Sequence, residues 1–239
     1  VLARRSAWTA GPADGPIAVL RRLPTAAPRC FHVLVEGADG AAFVSATPER
    51  LFRLRRGRVE TEAVAGTRPR AEGDDLLASE KDRREQALVA DDLRDRLAPL
   101  VEAVEAEAEP HVLTLRRRLH LRTRLGGPLR PGTTALDLLA ALHPTPAVGG
   151  TPRDAARAFI AAEEGFDRGL YAGPVGRVGR DAEGREAAEF AVGIRSALIH
   201  ADRLALFAGA GLVPGSEAAA EWAEVEGKMS DLALALGLG

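Results

Sequence analysis

Two hydrophobic periodicities share the chain. Short apolar runs with period-two polar interruptions, bounded by Gly, Pro or charge, occupy residues 30–37 (CFHVLVEG), 41–48 (AAFVSATP), 51–66 (LFRLRRGRVETEAVAG), 111–125 (HVLTLRRRLHLRTRL) and 189–211 (EFAVGIRSALIHADRLALFAGAG). This spacing predicts strands, and the tetrads RRGR at 55–58 and HADR at 200–203 predict hairpins. Helical spacing predicts helices over residues 15–23, 74–107, 133–143, 152–166 and 216–237. Strands and helices are mixed without a βαβ rhythm, so the expected class is α+β with antiparallel sheet, in one unit over residues 1–239. The acidic, Pro-terminated VEAVEAEAEP at 101–110 reads as the solvated end of the long helix.

Composition narrows the possibilities. With 46% apolar residues in 239, the chain can bury the core of one large domain, or of two at most. No apolar run of about 18 residues occurs, and VLARRSAWTA lacks a signal-peptide core, so a cytoplasmic protein without a membrane span is expected. The 32 Lys+Arg against 34 Asp+Glu leave no electrostatic footprint for nucleic acid or an anionic membrane. Small molecules or proteins are therefore the expected partners. Cys30 is the sole cysteine, which excludes a disulfide within the chain and a thiolate zinc cage. No Gly-x-Ser-x-Gly elbow or His-x-x-x-His pair exists, which argues against hydrolase and zinc chemistry.

Several groups could still do chemistry. Glu221, Glu224 and Lys228 fall on one face of the last helix, beside an apolar stripe of Trp222, Val225, Met229 and Leu232. That face is either an ordinary amphipathic surface with a Glu224–Lys228 pair or part of a site. Asp82 and Glu85 of SEKDRREQ make a second i, i+3 carboxylate pair, and two such helices face to face would suit Mg²⁺. The glycines of FAGAGLVPGS have the wrong spacing for a dinucleotide loop; they suit either backbone approach to an anion or a tight turn. Arg195, among small and apolar neighbours, calls for an anion or a carboxylate partner. Glu49, after Pro48 at a strand end, reads by itself as an exposed turn carboxylate. His143 of LHPTPAVGGTP invites a catalytic or a structural reading.

Taken together and in order, SATPERL, AVAGTRPR, SEKDRREQ, LHPTPAVGGTP, FDRGLYAGPVG, FAVGIRSALI, LFAGAGLVPGS and EWAEVEGK resemble the chorismate-utilising enzymes, and isochorismate synthases in particular, over the whole chain. The resemblance implies two facing antiparallel sheets wrapped by helices, with the N-terminal part of the fold missing from these residues. It implies a monomer that isomerises chorismate to isochorismate, adding water at C2 and losing the C4 hydroxyl, with Mg²⁺ on the C1 carboxylate, for menaquinone or catecholate siderophore synthesis. By resemblance Glu49 is the general acid, and Glu85 and Glu224 are the metal ligands, with Glu221 and Asp82 as acidic neighbours. Gly66, Thr67, Arg195, Gly209, Gly211 and Lys228 match substrate-binding positions.

Ala147, Val148 and Gly149 match a small wall beside the substrate ring, and His143 becomes a structural residue. The family's water-activating lysine precedes a Val-Leu-Ala-Arg stretch, and this chain opens on VLARR, so the base is absent and the isolated chain is expected to be impaired. Gln86 stands where relatives carry His. The segment HPTPAVGG favours isochorismate formation over the salicylate, anthranilate and aminodeoxychorismate synthases, whose amine-forming members carry HPAGTLSGAPK-like sequences. A non-catalytic fragment of the same fold is the other reading.

Overall fold

The computed structural model describes residues 1–8, 15–72 and 75–238. In chain order the strands are β1 (Leu2–Trp8), β2 (Phe31–Glu36), β3 (Ala42–Thr47), β4 (Arg50–Arg55), β5 (Arg58–Pro69), β6 (Glu105–Ala106), β7 (His111–Thr114), β8 (Arg118–Pro128), β9 (Pro174–Arg180), β10 (Glu186–Val192), β11 (Ser196–His200) and β12 (Arg203–Ala210). The helices are α1 (Gly15–Ala26), α2 (Glu80–Leu97), α3 (Ala135–Leu142), α4 (Pro146–Gly149), α5 (Arg153–Glu163) and α6 (Ala218–Leu236). The strands form a five-stranded sheet, β1-β12-β11-β3-β2, and a seven-stranded sheet, β6-β8-β5-β4-β10-β9 with β7 also on β8. Every pairing between strands is antiparallel. The predicted class therefore holds.

Alternation along β12 shows how the two sheets meet. Leu204 and Leu206 enter a core with Val19 and Leu23 of α1 and Leu232 and Leu236 of α6. Phe207, with Ala205 packed alongside, joins a second core with Phe52 and Val59 of the other sheet and Leu93 and Leu97 of α2. Successive side chains of a strand point to opposite faces, so one face of the five-stranded sheet carries α1 and α6 while the other meets the seven-stranded sheet's core. The chain passes between sheets at two places described here, through Pro48 and Glu49 after β3 and through residues 193–195 after β10.

Both hairpins form where turn chemistry allows. Arg56 and Gly57 both take positive φ, 52° and 70°, the combination a two-residue turn needs to match strand twist. Ala201 at φ 53° begins the second turn, between β11 and β12.

Three expectations fail locally. The helix expected over 74–107 is shorter: Ser79 caps α2, accepting from the Asp82 amide, and the helix ends at Leu97. The segment 101–110 is consequently not a helix end, since Val101 bridges Leu129 and Glu105–Ala106 pairs with Gly126 and Leu125 of β8. Pro99, which cannot continue the ladder, lies between the two structures. Trp222 does not join the buried stripe of Val225, Met229 and Leu232; it is 57% exposed, with the Arg4 guanidinium 4.4 Å from its ring centroid.

Candidate active site

The two crossings between sheets are tied to each other. Ser45 Oγ donates to the Ile194 carbonyl at 2.6 Å, the Ala46 amide to Arg195 O at 3.1 Å, and the Val192 amide to Glu49 O at 3.0 Å. Glu49 and Arg195 are thereby held on one internal cavity, which β5, β8, α2, α4, the end of β12 and α6 complete.

Glu49 is 5% exposed, which rules out the exposed turn carboxylate suggested by its position after a proline. Thr145 Oγ1 donates to Glu49 Oε1 over a long 3.5 Å. Burial, and then the charge of Glu62, push the Glu49 carboxyl up to about 7, against weaker opposite pulls from Thr145, Arg195 and Lys228. It can therefore carry a proton near neutral pH.

Arg195 lies in no strand; it takes φ 48° in the crossing, and its Nη2 donates to His120 Nε2 at 2.7 Å. Of the two partners expected, an anion or a carboxylate, no carboxylate is hydrogen-bonded to Arg195 among the described residues, and an imidazole takes that place. A guanidinium only donates, so Nε2 must accept and the proton must sit on Nδ1, which donates to Thr67 Oγ1 at 3.1 Å. Burial, followed by the charges of Arg195, Lys228 and Arg118, holds His120 well below the ordinary histidine range, so the neutral ring is the stable one. Thr67, having accepted from His120, keeps its own hydroxyl proton to offer the cavity that it lines.

The same cavity carries an acidic group. Glu85 of α2 and Lys228 of α6 line the cavity, and Lys228 Nζ reaches both Glu224 Oε1 at 2.6 Å and the Gly209 carbonyl at 2.9 Å. Glu221 is buried and ion-paired through Oε1 to Lys81 Nζ at 2.7 Å, while its buried Oε2 has no partner. Burial, and then the neighbouring Glu224, push Glu85 up to about 7. Gly211 leaves room for Glu85 here, because a Cβ on it would press against Glu85 Oε1 and displace the carboxylate. Gly209 also faces the cavity, and its Cβ would meet Leu2 O at 2.8 Å and the Tyr171 hydroxyl at 2.9 Å.

Hard carboxylate oxygens with uncompensated charge fit a hard divalent cation. Among the described residues no three His, Cys, Asp or Glu side chains gather tightly enough to form a closed cage. An open site of one or two carboxylates, completed by water and an anionic substrate, is what Mg²⁺ prefers.

Other expected residues are placed differently. Asp82 lies beneath Gly66, whose Cβ would be 3.1 Å from Asp82 Cβ, and is bonded to Arg68 Nε at 3.2 Å, so it supports the register shift of β5 and does not line the cavity. Ala147 and Val148 of α4 do line it, but Gly149 faces away, where a Cβ would fall 2.9 Å from Pro144. His143 caps α3 and is absent from the wall. Gln86 is buried, donating to Ala63 O at 3.1 Å and Thr123 Oγ1 at 3.0 Å, with its Oε1 unpartnered.

Sequence reasoning missed His120, Tyr171, Lys81 and Arg168. The Arg168 Nη1 donates to the Val148 carbonyl at 2.9 Å while its Nε holds Glu164 at 2.7 Å, which fixes the α4 wall. Tyr171 stood in a quoted motif without an assigned role, and His120 is an inward position of the alternating LHL run.

A family model described as chorismate binding enzyme matches residues 1–237. The chain is 42% identical over 239 residues to the chloroplastic isochorismate synthase of Catharanthus roseus, covering 96% of this chain and 40% of that protein. It superposes on MenF, the menaquinone-specific isochorismate synthase from Escherichia coli, with TM-score 0.87 and 35% identity, covering 98% of this chain and 55% of that one. Anthranilate synthase component I from Streptococcus pneumoniae gives TM-score 0.82 and 28% identity, covering 97% of this chain and 52% of that one. The chain thus spans roughly two fifths to just over half the length of these relatives.

Proposed function

The chain belongs to the chorismate-binding enzymes, and from that premise we propose that it forms the acid-bearing and metal-holding part of an isochorismate synthase. The observation that carries this reading is Glu49, buried on the cavity that Glu85 also lines, with its carboxyl pushed up to about 7 by burial. Arg195, fixed by His120, and Thr67 offer donors to a substrate carboxylate on the crossing side. Lys228 offers its cation on the α6 side, and Gly209 and Gly211 line the cavity with it. Glu85 and Glu224 would hold Mg²⁺; when bound, it neutralises and orients a substrate carboxylate that the glutamates would otherwise repel.

Glu49 gives its proton to the hydroxyl departing from C4, and the narrow Ala147–Val148 wall leaves room for water at C2. By resemblance a lysine activates this water. Val1, carried by β1, lines the cavity. A cytoplasmic, monomeric enzyme is the setting that this reading carries.

The test is product analysis with chorismate and Mg²⁺, using the natural chain that contains these residues. Isochorismate is expected; anthranilate or salicylate would transfer the chain to the sister activities, to which the streptococcal structure is related. A chain that binds chorismate without any product would be the non-catalytic alternative. Mg²⁺ should raise the melting temperature by mass action, and Glu85→Gln or Glu224→Gln should remove that rise. An unchanged Mg²⁺ response in both variants would refute the metal assignment.

A further inference from the structure

A second, larger cleft of about 910 Å³ lies on the other side of Arg195. Its walls are the end of α1 with the turn after it, the β7–β8 hairpin, and the C-terminal half of α6. Six arginines line it, Arg29, Arg70, Arg116, Arg117, Arg118 and Arg195, against one carboxylate, Asp231. Asp231 accepts from Arg118 Nε at 2.8 Å and lies 3.8 Å from Arg117 Nε. Arg29 and Arg116 brace the walls through neutral carbonyls, Arg29 Nη1 on Thr114 O at 3.0 Å and Arg116 Nη1 on Thr25 O and Ala26 O at 3.4 Å. Carbonyl partners leave the positive charge uncompensated, and crowded guanidinium groups in a recess raise the local concentration of anions. The rest of the lining includes apolar side chains, Ala27, Ala46, Leu115, Leu232, Leu234 and Ala235.

We propose that this cleft is a second ligand site, for a small amphiphilic anion whose carboxylate or phosphate meets the arginine rim and whose ring or chain lies on the apolar wall. Arginine forks suit either anionic group, and the rim with its wall selects against simple inorganic ions. The site is coupled to the catalytic cavity, because Arg195 lines both. An anion in the cleft draws on the same guanidinium that the proposed substrate carboxylate would use, so occupancy raises the KM for chorismate. This last step alone rests on the proposed activity.

Cys30 lines the cleft and is the only cysteine of the 239 residues, so it reports occupancy. In the natural chain, benzoate and phenyl phosphate are titrated calorimetrically, and alkylation of the Cys30 peptide by neutral iodoacetamide is followed by mass spectrometry. The expected result is saturable binding of at least one probe with slowed alkylation. Both effects should weaken about tenfold or more in Arg70→Glu/Arg117→Glu, two exposed positions whose change leaves the fold intact by circular dichroism. Leu234→Trp, which fills the apolar wall and leaves the charge alone, should weaken binding as well. The relative strength of the two probes tells carboxylate from phosphate. Absence of heat and protection, binding that survives charge reversal, or sulfate matching both probes would overturn the proposal. A chain inert toward chorismate would defeat the proposed activity and leave this binding test standing.

Discussion

Glu49 shows how one residue's chemistry is made by distant parts of the chain. Its carboxyl shifts from an ordinary 4.5 to about 7 because burial disfavours the charged form and Glu62 adds like charge. The folded state thus binds the proton more tightly than the unfolded state. The associated stability is fully present below about 4.5 and is lost as pH rises through about 7. Glu49→Gln, neutral at every pH, should melt several degrees above the parent at pH 8, and the gap should close below pH 5. Turnover should fall at least ~100-fold in the same variant, as expected for loss of a positioned acid. Near-full turnover in a folded Glu49→Gln protein would remove Glu49 from the mechanism.

Gly211 supplies a complementary case, since Ala there would press a methyl against the Glu85 carboxylate. The carboxylate can swing away, so stability should change little, while turnover drops by roughly 10- to 100-fold because the group is displaced. A variant with intact kinetics would show that the position of Glu85 is not critical. The role proposed for Glu49 was legible only through the resemblance, whereas for Gly211 the sequence offered backbone approach to an anion or a substrate and gave no sign of the Glu85 carboxylate beside it. Local sequence makes Glu49 a turn residue, and nothing near position 49 announces the residues from 145 and 192–195 that bury it.

At the scale of elements, spacing predicted well where one turn stands alone. The hairpin at Arg56–Gly57 follows from residues within a few positions of each other, whereas the cap at Ser79, which sets the start of α2, was not read from the sequence. The expected helix over 74–107 failed because Glu- and Ala-rich residues 101–107 keep helical propensity while β8 offers a ladder edge, and pairing outweighs a weak local preference. Helix α2 itself is set by its buried stripe, Val89, Leu93 and Leu97, against the larger sheet. Leu93→Ala should cost about 2–5 kcal/mol in denaturant unfolding, whereas Leu88→Ala, on the exposed side at 40%, should stay within ~0.5 kcal/mol. Equal effects would mean that the helix is not held by that stripe. Because Glu85 rides on the same helix, Leu93→Ala should also loosen the acidic side of the cavity.

For the whole molecule, the decisive feature is that the site forms where the chain changes sheets, so its geometry depends on how firmly the crossings are joined. Pairing across β3 and β11 places Ser45 directly opposite Ser196, and the two buried hydroxyls differ in one respect. Ser45 Oγ donates to the Ile194 carbonyl, holding the residue next to Arg195, while Ser196 Oγ is buried with no partner. Removing a hydroxyl that satisfies a carbonyl costs about 1 kcal/mol or more, and removing one that satisfies nothing costs little and can even stabilise. Ser45→Ala should therefore lower stability by ~1–2 kcal/mol and raise the KM for chorismate, because Arg195 is free to drift from His120. Ser196→Ala, the same change one strand away, should leave KM unchanged and stability equal or higher. Equal losses in the two variants would mean that small side-chain volume, and not the hydrogen bond across the crossing, holds the site in register.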